Sequence, residues 1–102
     1  MAHYIILHLQ YLYKMNYMKQ IEPVQIWQNG QIVDAQWLDA ICINDNLENS
    51  ATFLWQLYND NNVSNVLTQG NLVMSDEDYA NWDSNEYAYN WIAEKISLII
   101  IE

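Results

Sequence analysis

At 102 residues the chain has room for one domain, and with 52% apolar residues it can build a core rather than stay disordered. Its formal net charge of −10 comes from 13 acids against Lys14, Lys19 and Lys95, with no arginine. That balance argues against binding nucleic acid through its phosphates, which takes clustered Lys or Arg, and against an anionic membrane surface. The aromatic set is five Trp and eight Tyr with Phe53 alone, a choice suited to half-buried positions and interfaces because Trp and Tyr carry polar handles. Cys42 is the single cysteine, so there is no intrachain disulfide and no cysteine metal motif; in the apolar run AICIN it reads as a small packing residue.

Residues 1–17 differ in composition from the rest of the chain. They are apolar, lack acids and hold both histidines, His3 and His8. They lack the basic start and small-residue cleavage site of a signal peptide and are too interrupted to span a bilayer. Two readings stand: an amphipathic docking helix with Ile5, Leu9, Leu12 and Tyr13 on one side, or an upstream extension to a protein that starts at Met18, with Met15 as a second candidate. Residues 18–102 then form a single α+β domain.

Pro23 favours an extended entry. In VQIWQNGQIVDA, Val24, Ile26 and Gln28 alternate with Gln25 and Trp27, and Asn29-Gly30 supplies the positive φ angles of a two-residue hairpin turn. AQWLDAICIND continues as strand, with Leu38, Ala40 and Cys42 on the core side and Trp37, Asp39, Ile41 and Ile43 opposite. NDNLENS is a loop with local Asn and Asp turns. SATFLWQLYND is a strand with Ala51, Phe53, Trp55 and Leu57 on one face and Thr52, Leu54, Gln56 and Tyr58 on the other. Its polar interruptions are few, as in the middle of a sheet. VLTQGNLVM returns antiparallel, and Gly70 in mid-strand signals a bulge or a close approach.

After Met74 the period changes. Ser75 reads as an N-cap, with Asp76, Glu77 and Asp78 in a first turn that suits the helix dipole. Asp83 reads as a second N-cap, with Glu86 completing a capping box. Tyr87, Ala88, Trp91, Ile92 and Ile96 then form an apolar stripe at helical spacing, and SLIII has the β-branched run of a last short strand. The expected architecture is an antiparallel sheet or small sandwich of about five strands, with a C-terminal helix and a final strand.

Catalytic and metal motifs fail on their spacing. Asp76 and Asp78 match the first two positions of an EF-hand loop, but Ala80 replaces the next ligand, no glycine supplies the turn and Tyr87 stands where the bidentate Glu belongs. Asp76, Asp78 and Asp83 serve as helix-start residues without any metal. Gly30 and Gly70 are the only glycines, too few for a phosphate-cradling loop, and a Ser-His-Asp arrangement would have to recruit His3 or His8. Carboxylate pairs for glycoside hydrolysis carry no specificity in so acidic a chain. No catalytic residue, cofactor or metal is therefore expected. Phe53, Trp55 and Trp91 read as core. Trp27, Trp37 and Tyr58, on strand faces shared with Gln and Asp, and Tyr79 and Trp82, ahead of the helix, are the interface candidates.

The segments QIWQNGQ, INDNLENSATFLWQLYN and GNLVMSDEDYANWDSNEYAYNWIAEKI follow one another as strand, acidic-Asn loop, aromatic strand, Gly-Asn strand and acidic cap before a Tyr/Trp helix. From about Glu22 to Ile101 this order resembles a group of small tailed-bacteriophage proteins, uncharacterised or virion-associated; residues 1–17 lie outside it. The resemblance carries no catalytic residues. It implies a phage origin, synthesis in the host cytoplasm and a place in the virion as a decoration, neck, tail or fibre-associated subunit, assembling with itself or with other virion proteins. Two other readings remain: an acidic inhibitor that mimics DNA against a host protein, which needs carboxylates spaced along one face, and a carbohydrate-binding β-module, which needs a flat row made by Trp27, Trp37 and Tyr58.

Overall fold

A computed structural model describes residues 18–60 and 65–101. The N-terminal extension, with His3 and His8, lies outside the described residues. Strands β1 (Lys19–Gln28), β2 (Gln31–Asp45), β3 (Ser50–Tyr58) and β4 (Thr68–Ser75) form one four-stranded sheet in the order β1-β2-β3-β4, and all neighbouring strands are antiparallel. Two helices follow, α1 (Asp76–Asn81) and α2 (Asn85–Lys95). The fold is α+β.

The Asn29-Gly30 turn forms as the sequence predicts, with φ of 53° and 81°, both in the left-handed region that a type I′ hairpin turn requires. It sets Gln28 opposite Gln31 and Trp27 opposite Ile32. A bulge falls between Gln20 and Val24, around Pro23, and a second between Cys42 and Asn44. In the β2–β3 loop the Asn46 side-chain oxygen accepts the backbone N–H groups of Glu48, Asn49 and Ser50 at 2.9–3.0 Å, the local Asn chemistry that NDNLENS announces.

Leu38 and Ala40 on β2, Ala51, Phe53 and Leu57 on β3 and Met74 on β4 are buried, as the alternation predicts, and the helices add Tyr79, Trp82, Ala88, Trp91 and Ile92 to the same core. Phe53 sits at its centre: the Trp82 ring meets it edge-on at 5.1 Å between centroids, and the Trp91 ring lies at 6.3 Å. Gly70 stands directly opposite Trp55. A Cβ there would come within 2.6 Å of the Trp55 ring, so the mid-strand glycine marks a close approach, and the β3–β4 register runs through it unbroken.

Four differences from the sequence-based expectation have local causes. Among the described residues there are four strands rather than five, in a single sheet and not a sandwich. SLIII does not form the final strand: Ile100 makes only an isolated bridge to Ile21, because the bulge and Pro23 end the regular edge of β1 just beyond it. The single C-terminal helix is two helices, broken at Trp82, which is extended rather than helical. The cap of the second is Ser84, not Asp83. The Ser84 hydroxyl accepts the Tyr87 N–H at 3.0 Å, while Glu86 turns away to Lys19 and leaves the capping box unmade. Ser84→Ala is therefore expected to cost about 1 kcal/mol and Asp83→Ala less than about 0.5 kcal/mol, measured as shifts in the urea midpoint; equal losses would restore the Asp83 cap. Helix α2 ends in a left-handed Ser97, with Leu98 N–H bonded to Ala93 C=O and Ser97 N–H to Glu94 C=O, the paired bonds of a Schellman stop.

Candidate interaction surface

The stretch 75–96 spends its acids and aromatics on one another. The Trp91 indole N–H donates to Asp78 Oδ2 at 3.1 Å. The Tyr79 hydroxyl donates to Asp45 Oδ1 at 2.8 Å, an oxygen that also accepts the Leu47 N–H. Burial first, and then the neighbouring Asp45, push Tyr79 up to about 12, so it stays a neutral donor at physiological pH. Lys95 lies 5.6 Å above the Trp91 ring, a cation–π contact, and Lys19 meets both Glu86 oxygens at 3.0 Å. Both described lysines thus serve the chain's own structure. Among the described residues no group of three or more His, Cys, Asp or Glu gathers where a metal could sit.

A second polar cluster lies on β2. The Tyr89 hydroxyl reaches the part of β2 beyond the start of β1, donates to Asp39 Oδ1 at 3.1 Å and accepts the Ala40 N–H at 3.2 Å. Burial raises the Asp39 carboxyl, and the hydrogen bonds from Tyr89 and the Ala40 backbone oppose that shift. On the adjacent strand the Tyr58 hydroxyl donates to Gln56 and the Gln56 amide donates to Gln69, at 3.0 and 2.9 Å. Tyr58 is raised by burial first and then by the charge of Asp39. Cys42 is half-buried and its thiol is pushed up to about 11, chiefly by burial; it is a protonated packing group and not a nucleophile at neutral pH.

Of the five aromatic candidates, one is presented outward. Trp27 is 72% exposed and its cross-strand partner Ile32 61%. Together they make an apolar pair at the end of the β1–β2 hairpin, one residue pair from the turn. Trp37 is half-buried. Tyr58, directly opposite Trp37, is 3% exposed. Tyr79 and Trp82 are core residues, 3% and 2% exposed; their rings meet 6.0 Å apart, with Trp82 against Phe53 and the Tyr79 hydroxyl on Asp45. The flat aromatic row that a sugar site needs is not formed by Trp27, Trp37 and Tyr58.

Ile32 is not among the sequence-based candidates, although the signal is there: a two-residue turn at Asn29-Gly30 forces Ile32 opposite Trp27. Tyr89 is also absent from them, since its role depends on how far β1 extends along β2, which local pattern does not encode.

The Trp27–Ile32 pair and the acids of the β2–β3 loop and α1 lie at opposite ends of β2. Strand β2, 15 residues at about 3.3 Å each, is long enough to run the 44 Å axis of the molecule. Gln31 starts it beside the Trp27–Ile32 pair. Asp45 ends it beside Glu48 and the acids of α1, where Asp76 N–H bonds to Asn49 C=O at 2.9 Å. No helix among the described residues is long and apolar enough to cross a membrane. Set against protein families, curated proteins and solved structures, the chain matches none.

Proposed function

We propose that this protein is a non-enzymatic assembly subunit that docks on copies of itself through the Trp27–Ile32 hairpin end, and that it serves as a bacteriophage virion component. The carrying observation is Trp27, 72% exposed and paired with exposed Ile32 on a hairpin fixed by its turn. A Trp held on a rigid strand loses little conformational entropy on contact and brings large apolar area, the profile of an interface anchor. The phage assignment rests on the resemblance of residues 22–101, and a decoration, neck, tail or fibre-associated position is its finer form.

Three features support an assembly role over the alternatives. Tyr58, Tyr79, Tyr89 and Trp91 spend their polar groups on structural bonds within the fold. Asp45, Glu48, Asp76, Glu77 and Asp78 gather at the far end of β2, whereas a DNA mimic needs its carboxylates spaced along a face. The aromatic row for a sugar is missing. Hydroxyl-radical footprinting across a concentration series tests the reading. Oxidation of Trp27 is expected to fall several-fold as concentration rises while that of Ile43 and Leu47, exposed outside the hairpin end, holds. Constant oxidation at every concentration would reject the hairpin end as the self-docking site.

A further inference from the structure

We infer that β4 is a second, independent interface: its free edge pairs antiparallel with β4 of another copy, joining two four-stranded sheets into one continuous sheet. The two edges of the sheet are treated differently by the sequence. The β1 edge is blunted. Glu22 N–H bonds to Ile99 C=O at 2.9 Å and Ile101 N–H to Gln20 C=O at 3.0 Å, and Pro23 interrupts the strand immediately beyond. The β4 edge has none of the usual protections. Between Asp60 and Asp76 the sequence holds no charge and no proline, its register against β3 has no bulge, and among the described residues nothing pairs with its outer side. Natural sheets mark solvent-facing edges with charge, proline or a bulge; an edge without them is built to be paired.

The geometry selects the register. Asp76 N–H bonds to Asn49 C=O, and from that pair the antiparallel alternation runs back along β4. Thr68, Gly70, Leu72 and Met74 turn their backbone groups to β3, and Gln69, Asn71, Val73 and Ser75 turn theirs outward. Ser75 occupies the N-cap position of α1 without a side-chain cap bond, and its carbonyl belongs to the helix. A two-fold axis at Asn71 satisfies the rest: Asn71 faces the partner's Asn71, and Gln69 faces the partner's Val73. Gly70 then faces the partner's Leu72, a small residue against a large one.

Charge selects a second copy in this orientation. The pairing segment is neutral, so two chains of net charge −10 meet where neither carries an acid. Antiparallel pairing about Asn71 also sets the two Asp76–Asp78 clusters roughly 30 Å apart along the strands, whereas parallel pairing would set them side by side. Val73, 61% exposed, loses much of its exposure against the partner's Gln69.

Residue-resolved hydrogen exchange on the full chain, across a concentration series, tests the pairing together with two variants. The Gln69, Asn71 and Val73 amides are expected to slow about tenfold or more as the dimer forms, while Gly70 and Leu72 amides, bonded to β3, stay protected throughout. Asn71→Pro deletes an outward N–H twice by symmetry and should raise the dissociation constant about 10- to 100-fold. Asn71→Asp sets two carboxylates face to face. It should weaken the dimer about tenfold or more at pH 7 and recover below about pH 4, where Asp protonates. Unchanged Gly70 and Leu72 protection certifies that each variant is folded. Free exchange of the outward amides at every concentration overturns the pairing, as does protection independent of concentration, which would mean a segment of the same chain covers the edge. Dissociation unchanged by both variants overturns it too. None of these outcomes bears on Trp27, whose footprint reads the hairpin end separately.

Discussion

Phe53→Ala is expected to be the most damaging single change in the chain, lowering stability by about 3–5 kcal/mol. Phe53 is 3% exposed and stands between Cys42 on β2 and Leu72 on β4, at the point where the sheet receives the Trp82 and Trp91 rings. Truncation removes the surface on which both helices rest. The two indoles are too rigid to fold into the space left, so the cavity term adds to the lost transfer energy. For a domain of this size the loss corresponds to roughly 15–30 °C in Tm, read by calorimetry or by urea titration. A loss under about 1 kcal/mol would mean the helices are held to the sheet by other contacts.

The second large effect is expected at Tyr89. Tyr89→Phe keeps the ring and removes one oxygen, which donates to Asp39 and accepts from Ala40 N–H. Asp39 loses one donor and the Ala40 N–H loses one acceptor, each keeping the other, at a cost of about 1–3 kcal/mol. The pH dependence distinguishes this from a packing effect. Burial sets the folded pKa of Asp39 above its unfolded value. The folded chain therefore holds the proton more tightly, and this contribution to stability is complete below the unfolded pKa and lost as the pH rises through the folded one. Acidification from pH 7 toward about 4 should relieve the cost of burying the carboxylate. Tyr89 opposes the upward shift, so Tyr89→Phe moves that window to higher pH. Asp39→Asn keeps an acceptor for the hydroxyl and removes the charge; it should be more stable than the parent at pH 7 and converge with it in acid. Urea titrations at several pH values check both directions, and a Tyr89→Phe loss that is the same at every pH would remove Asp39 from the account.

Much of the sheet is legible in the sequence. The Asn29-Gly30 turn sets one register, and the alternation of Leu38, Ala40, Ala51, Phe53 and Leu57 sets the inward face, because a strand's period of two leaves little freedom. The helical region is less legible. Asp83 and Ser84 are both good caps; with Ser84 in use the third helical residue is Tyr87, and Glu86 pairs instead with Lys19, 67 residues away in sequence. Tyr79 and Trp82 read as interface candidates, yet both are buried, Tyr79 with its hydroxyl on Asp45 and Trp82 against Phe53, contacts that local spacing does not encode. SLIII has strand propensity and reaches β1 at the Ile21–Ile100 bridge, but the bulge and Pro23 end the regular edge it would extend along.

The candidate surface divides in the same way. Trp27 can be read from its strand position and its turn. Trp37 and Tyr58 share one cross-strand pair yet differ in exposure, a result of packing that no spacing rule contains. The open β4 edge is written in the sequence as an absence of charge between Asp60 and Asp76, a signal that gains meaning only once the strand order places β4 last.

The most direct test of the assembly reading is the mass of the full chain by light scattering over a concentration series, at low and high salt, beside Trp27→Ser/Ile32→Ser. The parent is expected to form a defined multimer that persists or strengthens in high salt, as apolar contact between acidic chains requires, and the double variant a smaller assembly. A parent that remains monomeric at every concentration and salt, or a double variant with the parent's mass throughout, would contradict that reading.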